Sequence, residues 1–316
     1  MSRIHEALKK AARERSAQVA ADIVPDLASV KAGVQLPVLV TTQLSEPALR
    51  GVAAREIPPN LRFQELAARS SHQKWQLDPR MNVFQKTSSG KIGAERFRTL
   101  RSRLYQIAST RRLQRVLITS SVSAEGKTFV AANLAQSIVG QPDRKVLLID
   151  ADLRGSRLHT SLGAPASPGL TDYLRGQADE YEVMQFGIEG NLCFIPGGTQ
   201  VSNPSELLLS DRMKNLLDLV TPAFDWIIVD SPPALLVHDA SSLADLCDGV
   251  LFVVRAGSTD FKMAAKGASE FGNKNMLGVV LNRVERAESY GDYYYAYPDR
   301  DDEREQKKEV PNPELP

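Results

Sequence analysis

The octapeptide Ser121-Val122-Ser123-Ala124-Glu125-Gly126-Lys127-Thr128 sits between a β-branched run, Val116–Ser120, and a helix-length segment, Phe129–Val139. A strand, a short loop and a helix opening on Gly-Lys-Thr is the arrangement that cradles phosphate. Loop amides and the helix N-terminus turn donors and positive potential towards phosphate oxygens. On this reading Ser123, Ala124, Glu125, Gly126 and Phe129 belong to the loop and the first helical turn. The Lys127 ammonium reaches the outer phosphates, Thr128 presents its hydroxyl to Mg2+, and Gly126 allows close backbone approach. The usual first glycine is replaced by Ser121. Were a positive φ needed there, serine would be strained by about 1 kcal/mol.

Two other apolar runs end in carboxylates. Val146–Ile149 is followed by Asp150-Ala151-Asp152-Leu153-Arg154, and Trp226–Val229 by Asp230-Ser231-Pro232-Pro233. Carboxylates at the C-terminal ends of neighbouring parallel strands face the crevice where open α/β sheets bind ligands. Mg2+ takes one or two carboxylates beside waters and phosphate oxygens, so Thr128, Asp152 and Asp230 form the expected metal set. A single aspartate after a strand often only caps a turn. Three pieces in the expected order argue for more than that.

Five of the eight tyrosines, Tyr290, Tyr293, Tyr294, Tyr295 and Tyr297, lie within eight consecutive residues. Their neighbours are Gly291, Asp292, Pro298 and the charged run Asp299-Arg300-Asp301-Asp302-Glu303. Such a segment lacks the apolar residues to build a core and is expected to be disordered. Tyrosines beside charges suit phosphoryl acceptors, each gaining nearly two negative charges on modification.

The elements that must position these groups are legible in the periodicity. From Lys91 a basic helical stretch runs to about Ala108. Strand-like runs Val116–Ser120, Val146–Ile149, Leu192–Ile195, Trp226–Val229, Val250–Val254 and Leu277–Leu281 then alternate with helix-length segments at Lys127–Val139, Ser205–Val220, Ala240–Leu246 and Lys262–Phe271. This predicts an α/β fold of the P-loop NTPase type: a mostly parallel sheet with helices on both faces. Three regions are expected. Residues 1–90 hold an N-terminal helix (2–20, capped by Ser2) and a partly flexible arm; 91–286 form the catalytic domain; 287–316 form the tyrosine-rich tail.

Composition excludes several classes. A net charge of +1 gives no overall nucleic-acid footprint. No apolar run approaches the roughly 20 residues of a membrane-spanning helix, and charges from Arg3 to Arg15 interrupt any signal-peptide core. The expected location is therefore cytoplasmic. Cys193 and Cys247 read as reduced core thiols, and the four histidines show no metal-ligand spacing.

Leu147–Arg154 resembles the second Walker box of the bacterial tyrosine kinases of capsule and exopolysaccharide export, and Trp226–Pro233 their Walker B box. Ala131-Ala132-Asn133-Leu134-Ala135, Asn203–Leu208 and Val280-Leu281-Asn282-Arg283 are similar to theirs too. The resemblance covers about residues 91–297, with a weaker match at 1–20. It implies a fold like that of the partitioning and septum-positioning ATPases MinD and ParA, with ATP and Mg2+ as cofactors and the tail tyrosines as acceptors. Lys127, Asp150, Asp152 and Asp230 would be catalytic, with Asp150 orienting or deprotonating the tyrosine. The division of labour between Asp150 and Asp152 stays open. Arg154 would serve phosphate or interface contacts, and Asn282 the adenine. Glu95-x-x-Arg98-x-x-Arg101 matches the family's oligomerisation motif, implying a homo-oligomeric ring that phosphorylates in trans. Further implied partners are a separate membrane-bound polysaccharide chain-length or export protein as activator, which would hold the chain at the inner membrane face, and a tyrosine phosphatase. Two rivals stand beside this reading. One is a partitioning or septum-type switch ATPase, against which stand the absence of lysine between Ser120 and Gly126 and the tyrosine cluster. The other is a non-catalytic nucleotide-binding regulator of an export complex.

Overall fold

A computed structural model describes residues 62–84, 88–187 and 190–284. The expected N-terminal helix at 2–20 and the tyrosine cluster lie outside them. The strands are β1 (Ser71–His72), β2 (Arg115–Ser120), β3 (Val146–Asp150), β4 (Gln185–Phe186), β5 (Leu192–Ile195), β6 (Trp226–Asp230), β7 (Gly249–Arg255) and β8 (Met276–Asn282). They form one sheet in the order β1-β4-β5-β3-β6-β2-β7-β8. Every pair is parallel except β4–β5.

The central strands are continuously apolar because helices cover both faces. On one face Val116, Ile118, Leu148 and Ile228 pack against helices α2 (Ser88–Ala108) and α3 (Lys127–Val139). On the other, Leu117, Ile149, Val229 and Phe252 share a core with Leu216 and Leu217 of α8 (Asp211–Val220). Helix α3 is buried nearly all round: Val130, Leu134 and Ile138 are within 1% of full burial, each contributing about 1.5–3 kcal/mol of transfer free energy. Its alanines let it lie close to the strands that present the site.

Short helices make up the remaining connections: α4 (Leu158–Leu162), α5 (Leu170–Leu174), α6 (Glu180–Val183), α7 (Pro204–Leu208), α9 (Asp239–Ala244) and α10 (Phe261–Ser269). The single helix expected over Ser205–Val220 is two, α7 and α8. Ser210 between them is extended (φ −69°, ψ 152°), and its hydroxyl turns back to donate to the Leu207 carbonyl at 2.6 Å. Pro204 opens α7 at a position where its missing N–H costs nothing.

The stretch read as a flexible arm is, over 62–84, part of the folded unit. Helix α1 (Phe63–Arg69) buries Leu66 completely, and Phe63 meets Phe186 and Phe224 edge-on at 5.6 and 5.5 Å. Strand β1 pairs with β4, and Trp75 sits edge-on to Phe194. Apolar residues here are spaced for docking onto a sheet edge, not for one helix face, so periodicity misses them. The basic helix also starts earlier than Lys91, at Ser88.

At one end the sheet finishes in the two-residue β1; at the other in the seven-residue β8, where Val279 and Leu281 are 56% and 61% exposed.

Candidate active site

Strands β3 and β6 lie side by side with Asp150 opposite Asp230, and β2 flanks β6. The ends of the three strands open into a cleft of about 740 Å3. Its wall includes Ser123, Ala124, Gly126, Lys127, Thr128, Phe129, Asp152, Arg154 and Asn282. The candidate residues named from the sequence thus make up half of the lining.

The loop is fixed by its own residues and by β7 and β8. Gly126 has φ +99°, and a Cβ there would collide with the Asn282 side-chain amide. The Asn282 amide donates to the Glu125 carbonyl at 2.8 Å. It therefore buttresses the phosphate loop from the cleft wall. The Glu125 side chain points away from the cleft and is 1% exposed. It accepts from the Val122 amide at 2.8 Å and from the Thr259 hydroxyl at 2.6 Å. Its carboxylate braces the loop from behind, which leaves the backbone amide as the group this residue would offer to phosphate.

Backbone strain falls at Ala124 (φ +64°), while Ser121 is absent from the described non-glycine residues with positive φ. Ser121 is fully buried, and its hydroxyl has no hydrogen-bond partner. It fits because α10 presents Gly267 to it, where a Cβ would stand 2.9 Å from both Ser121 Cα and Oγ.

Thr128 Oγ1 donates to Asp230 Oδ2 at 2.7 Å, leaving Asp230 Oδ1 buried without a partner. Lys127 Nζ lies 3.8 Å from Asp152 Oδ2. A hydroxyl, a carboxylate oxygen with no partner and a second carboxylate at the cleft suit a small hard cation. Burial, reinforced by the Asp150 charge, pushes the Asp230 carboxyl upward against the opposing pull of Lys127 and the Thr128 hydrogen bond. Asp150 is also pushed up by burial. Two adjoining buried carboxylates without enough nearby positive charge are the environment a divalent ion relieves.

Asp150 is not where the expected role would put it. It is completely buried, and Oδ2 accepts from Ser156 Oγ at 2.7 Å and the Leu158 amide at 3.1 Å. Those bonds tie the loop after β3 to the strand end, and Asp152 is the carboxylate that lines the cleft. Arg154 is held on the cleft wall by Asp239 at 3.1 Å and Ser205 Oγ at 2.7 Å.

The three residues expected at an oligomer interface divide. Glu95 and Arg98 pair with each other at 2.9 Å on the exposed side of α2. Arg101 turns inward and donates to the Ser137 carbonyl near the C-terminus of α3.

Sequence reasoning missed Arg80 and Met81, which also line the cleft. Asn133, fully buried on α3, holds their segment: its side chain accepts from the Val83 amide at 2.9 Å and donates to the Met81 and Phe129 carbonyls at 2.8 Å. A buried asparagine inside an Ala-rich helix was the available signal. Among the described residues no three His, Cys, Asp or Glu side chains form a separate metal cluster, and no helix is long and apolar enough to cross a membrane.

A family model described as the CobQ/CobB/MinD/ParA nucleotide binding domain matches residues 116–298. Tyrosine-protein kinase YwqD of Bacillus subtilis is 35% identical over 216 residues, covering 67% of this chain and 91% of that protein. Tyrosine-protein kinase CpsD of Streptococcus agalactiae is 37% identical over 180 residues, covering 56% and 78%. Tyrosine-protein kinase wzc of Salmonella typhimurium is 35% identical over 211 residues, but the match spans only 29% of that longer protein. Among solved structures, the kinase domain of the Escherichia coli tyrosine kinase ETK matches with a TM-score of 0.61 at 32% identity, over 71% of this chain and 88% of that one. A phosphate loop facing two acid-tipped strands, in a chain with these likenesses, belongs to the CobQ/CobB/MinD/ParA nucleotide-binding family and, within it, to the bacterial tyrosine-protein kinases.

Proposed function

We propose that the chain transfers the γ-phosphoryl group of Mg-ATP to tyrosines of its own C-terminal segment, Tyr290 to Tyr297. The observation that carries this reading is continuity: Asn282 and Arg283 form part of the cleft wall, and Tyr290 follows seven residues after Arg283. In the transfer, the bond between the γ-phosphorus and its bridging oxygen breaks, the tyrosine oxygen bonds to phosphorus, ADP departs and the phenolic proton is lost.

Positioning and charge neutralisation dominate such reactions. Loop amides and Lys127 hold the phosphates. Thr128, Asp230 and Asp152 are the residues that would hold Mg2+, which when bound neutralises charge on the phosphate oxygens. Asp152 is the carboxylate at the cleft available to orient the acceptor hydroxyl, with Asp150 fixing the turn that carries it. Asn282 and Glu125 keep the loop in its binding shape.

By resemblance, the kinase acts on capsule or exopolysaccharide export. It works as a ring through the Glu95, Arg98 and Arg101 helix, beside a separate membrane-bound activator at the inner membrane face, with a tyrosine phosphatase opposing it. Intact-mass measurement and site mapping after incubation with Mg-ATP test the reaction, with Lys127→Met alongside and with the activator co-expressed. Phosphate on Tyr290–Tyr297 in the wild type alone is the expected result. ATP hydrolysis with an unmodified tail would turn the reading into a switch ATPase.

A further inference from the structure

Three arginines at the mouth of the cleft have no part in the chemistry above. Arg80 comes from the segment held by Asn133, Arg157 from the turn before α4 and Arg283 from the end of β8, and all three line the same cavity. All are exposed. Arg80 makes one loose contact, 3.5 Å to its near neighbour Asp78, with its side chain 91% exposed. Among the described residues no ion pair involves Arg157 or Arg283. Arg154, by contrast, is occupied by Asp239 and Ser205. Uncompensated guanidiniums around a concave site attract anions, and their planar donor forks match carboxylates in particular.

The chain supplies such a partner. Residues 285–305 contain eight acidic side chains against three basic ones, interleaved with the five tyrosines. They follow almost directly from the cleft wall. At a maximum of about 3.5 Å per residue, Tyr290 can lie up to about 25 Å from Arg283 and Tyr297 up to about 50 Å. That reach spans the mouth of the cleft from which the chain departs.

We propose that Arg80, Arg157 and Arg283 form a docking rim for the acidic, tyrosine-bearing segment 286–304, so that the kinase selects tyrosines flanked by carboxylates. This rests on the reading of the chain as a kinase of its own C-terminal segment. It adds the recognition element: the rim holds the flanks while the loop and Asp152 serve the reacting groups. Exposed pairs of this kind are individually weak and salt-sensitive, so the selection is cumulative and fades at high ionic strength.

The test uses the full chain, Mg-ATP and two synthetic acceptor peptides. One has the sequence of 286–304; in the other every Asp and Glu is replaced by its amide. The native peptide is expected to have a kcat/KM about tenfold higher, carried by KM. Arg157→Ala/Arg283→Ala should raise KM for the native peptide about fivefold to tenfold, abolish the preference, and leave KM for ATP unchanged. Arg157→Glu/Arg283→Glu should go further and prefer the neutral peptide. Equal use of both peptides by the wild type, or undiminished discrimination by the double-alanine variant, overturns the proposal. A parallel rise in KM for ATP also overturns it, since the arginines would then serve the nucleotide. If neither peptide is phosphorylated with the co-expressed activator present, the kinase reading fails on its own account. The rim is then decided by fluorescence anisotropy of the same two peptides: loss of tight binding in the double variant supports it, and equal binding refutes it.

Discussion

Replacing Asn133 with alanine should loosen the segment Arg80–Phe84, which ends 37 residues before the phosphate loop in sequence but supplies part of the cleft wall in space. The wild-type side chain makes three hydrogen bonds at 2.8–2.9 Å from a fully buried position, two of them to the backbone of Met81 and Val83. The bond to the Phe129 carbonyl is the most dispensable, because that group keeps its place in the helix. The other two contribute about 1 kcal/mol each on net. If the segment stays docked, the stranded Val83 amide and Met81 carbonyl raise that cost to about 1–3 kcal/mol each. If it detaches, water satisfies them and the packing of Val83 and Phe84 against the core is lost instead. The docked route gives a loss of about 2–6 kcal/mol. For a unit of this size that corresponds to a fall in Tm of about 4–24 °C. Thermal unfolding followed by circular dichroism measures the first quantity, and the rate of tryptic cleavage after Arg80 measures detachment. An Asn133→Ala chain that melts within 1 °C of wild type and is cut at Arg80 no faster would refute the clamp.

Gly267→Ala should lower stability by about 1–3 kcal/mol through overpacking against Ser121, despite a gain of about 1 kcal/mol in helix propensity. Adding Ser121→Gly should recover part of the loss in urea melts; a Gly267→Ala chain as stable as wild type would sink the idea. Burial alone would raise the Asp172 carboxyl, but hydrogen bonds from Thr199, the Gly169 amide and Ser167 outweigh it and hold its pKa below the ordinary value. The stabilisation is therefore present above the ordinary pKa and lost as pH falls through the lower folded value. Asp172→Asn should flatten the decline in stability between pH 5 and pH 3, and an unchanged slope would contradict it. Burial pushes the Cys247 thiol up to about 12 and raises Cys193 as well. Cys193, fully buried, should not react with a disulfide reagent at pH 8 until denaturant is added, and the half-buried Cys247 should react only slowly; a fast native thiol at either would contradict this.

The central strands, α3 and half of the cleft wall were legible because their signals are local. A β-branched run ending in aspartate is readable wherever it lands, and Gly126-Lys127-Thr128 announces its own backbone. What escaped depends on contacts distant in sequence. Arg80 reaches the cleft only because Asn133, 53 positions later, binds the backbone beside it. Asp150 and Asp152 leave one strand end and look equivalent in sequence; Ser156 and the Leu158 amide are what turn the first inward. Glu125 is legible as a loop residue, but the anchoring of its carboxylate by Thr259, 134 positions later, is not. The break at Ser210 needed a side chain's choice between two helices, which periodicity does not record.

The two ends of the sheet differ in what they permit. The two-residue β1 offers too little backbone to template another strand, whereas β8 presents seven residues, two of them with large exposed apolar side chains. No strand among the described residues pairs with the outer side of β8, and edges of that length are where sheets accrete further strands. Among the described residues nothing with a charge interrupts β8, and it carries neither proline nor lysine. Concentrated preparations should therefore associate through this edge before any other. A lysine in place of Val279 or Leu281 is the modification with the best chance of keeping the isolated protein dispersed.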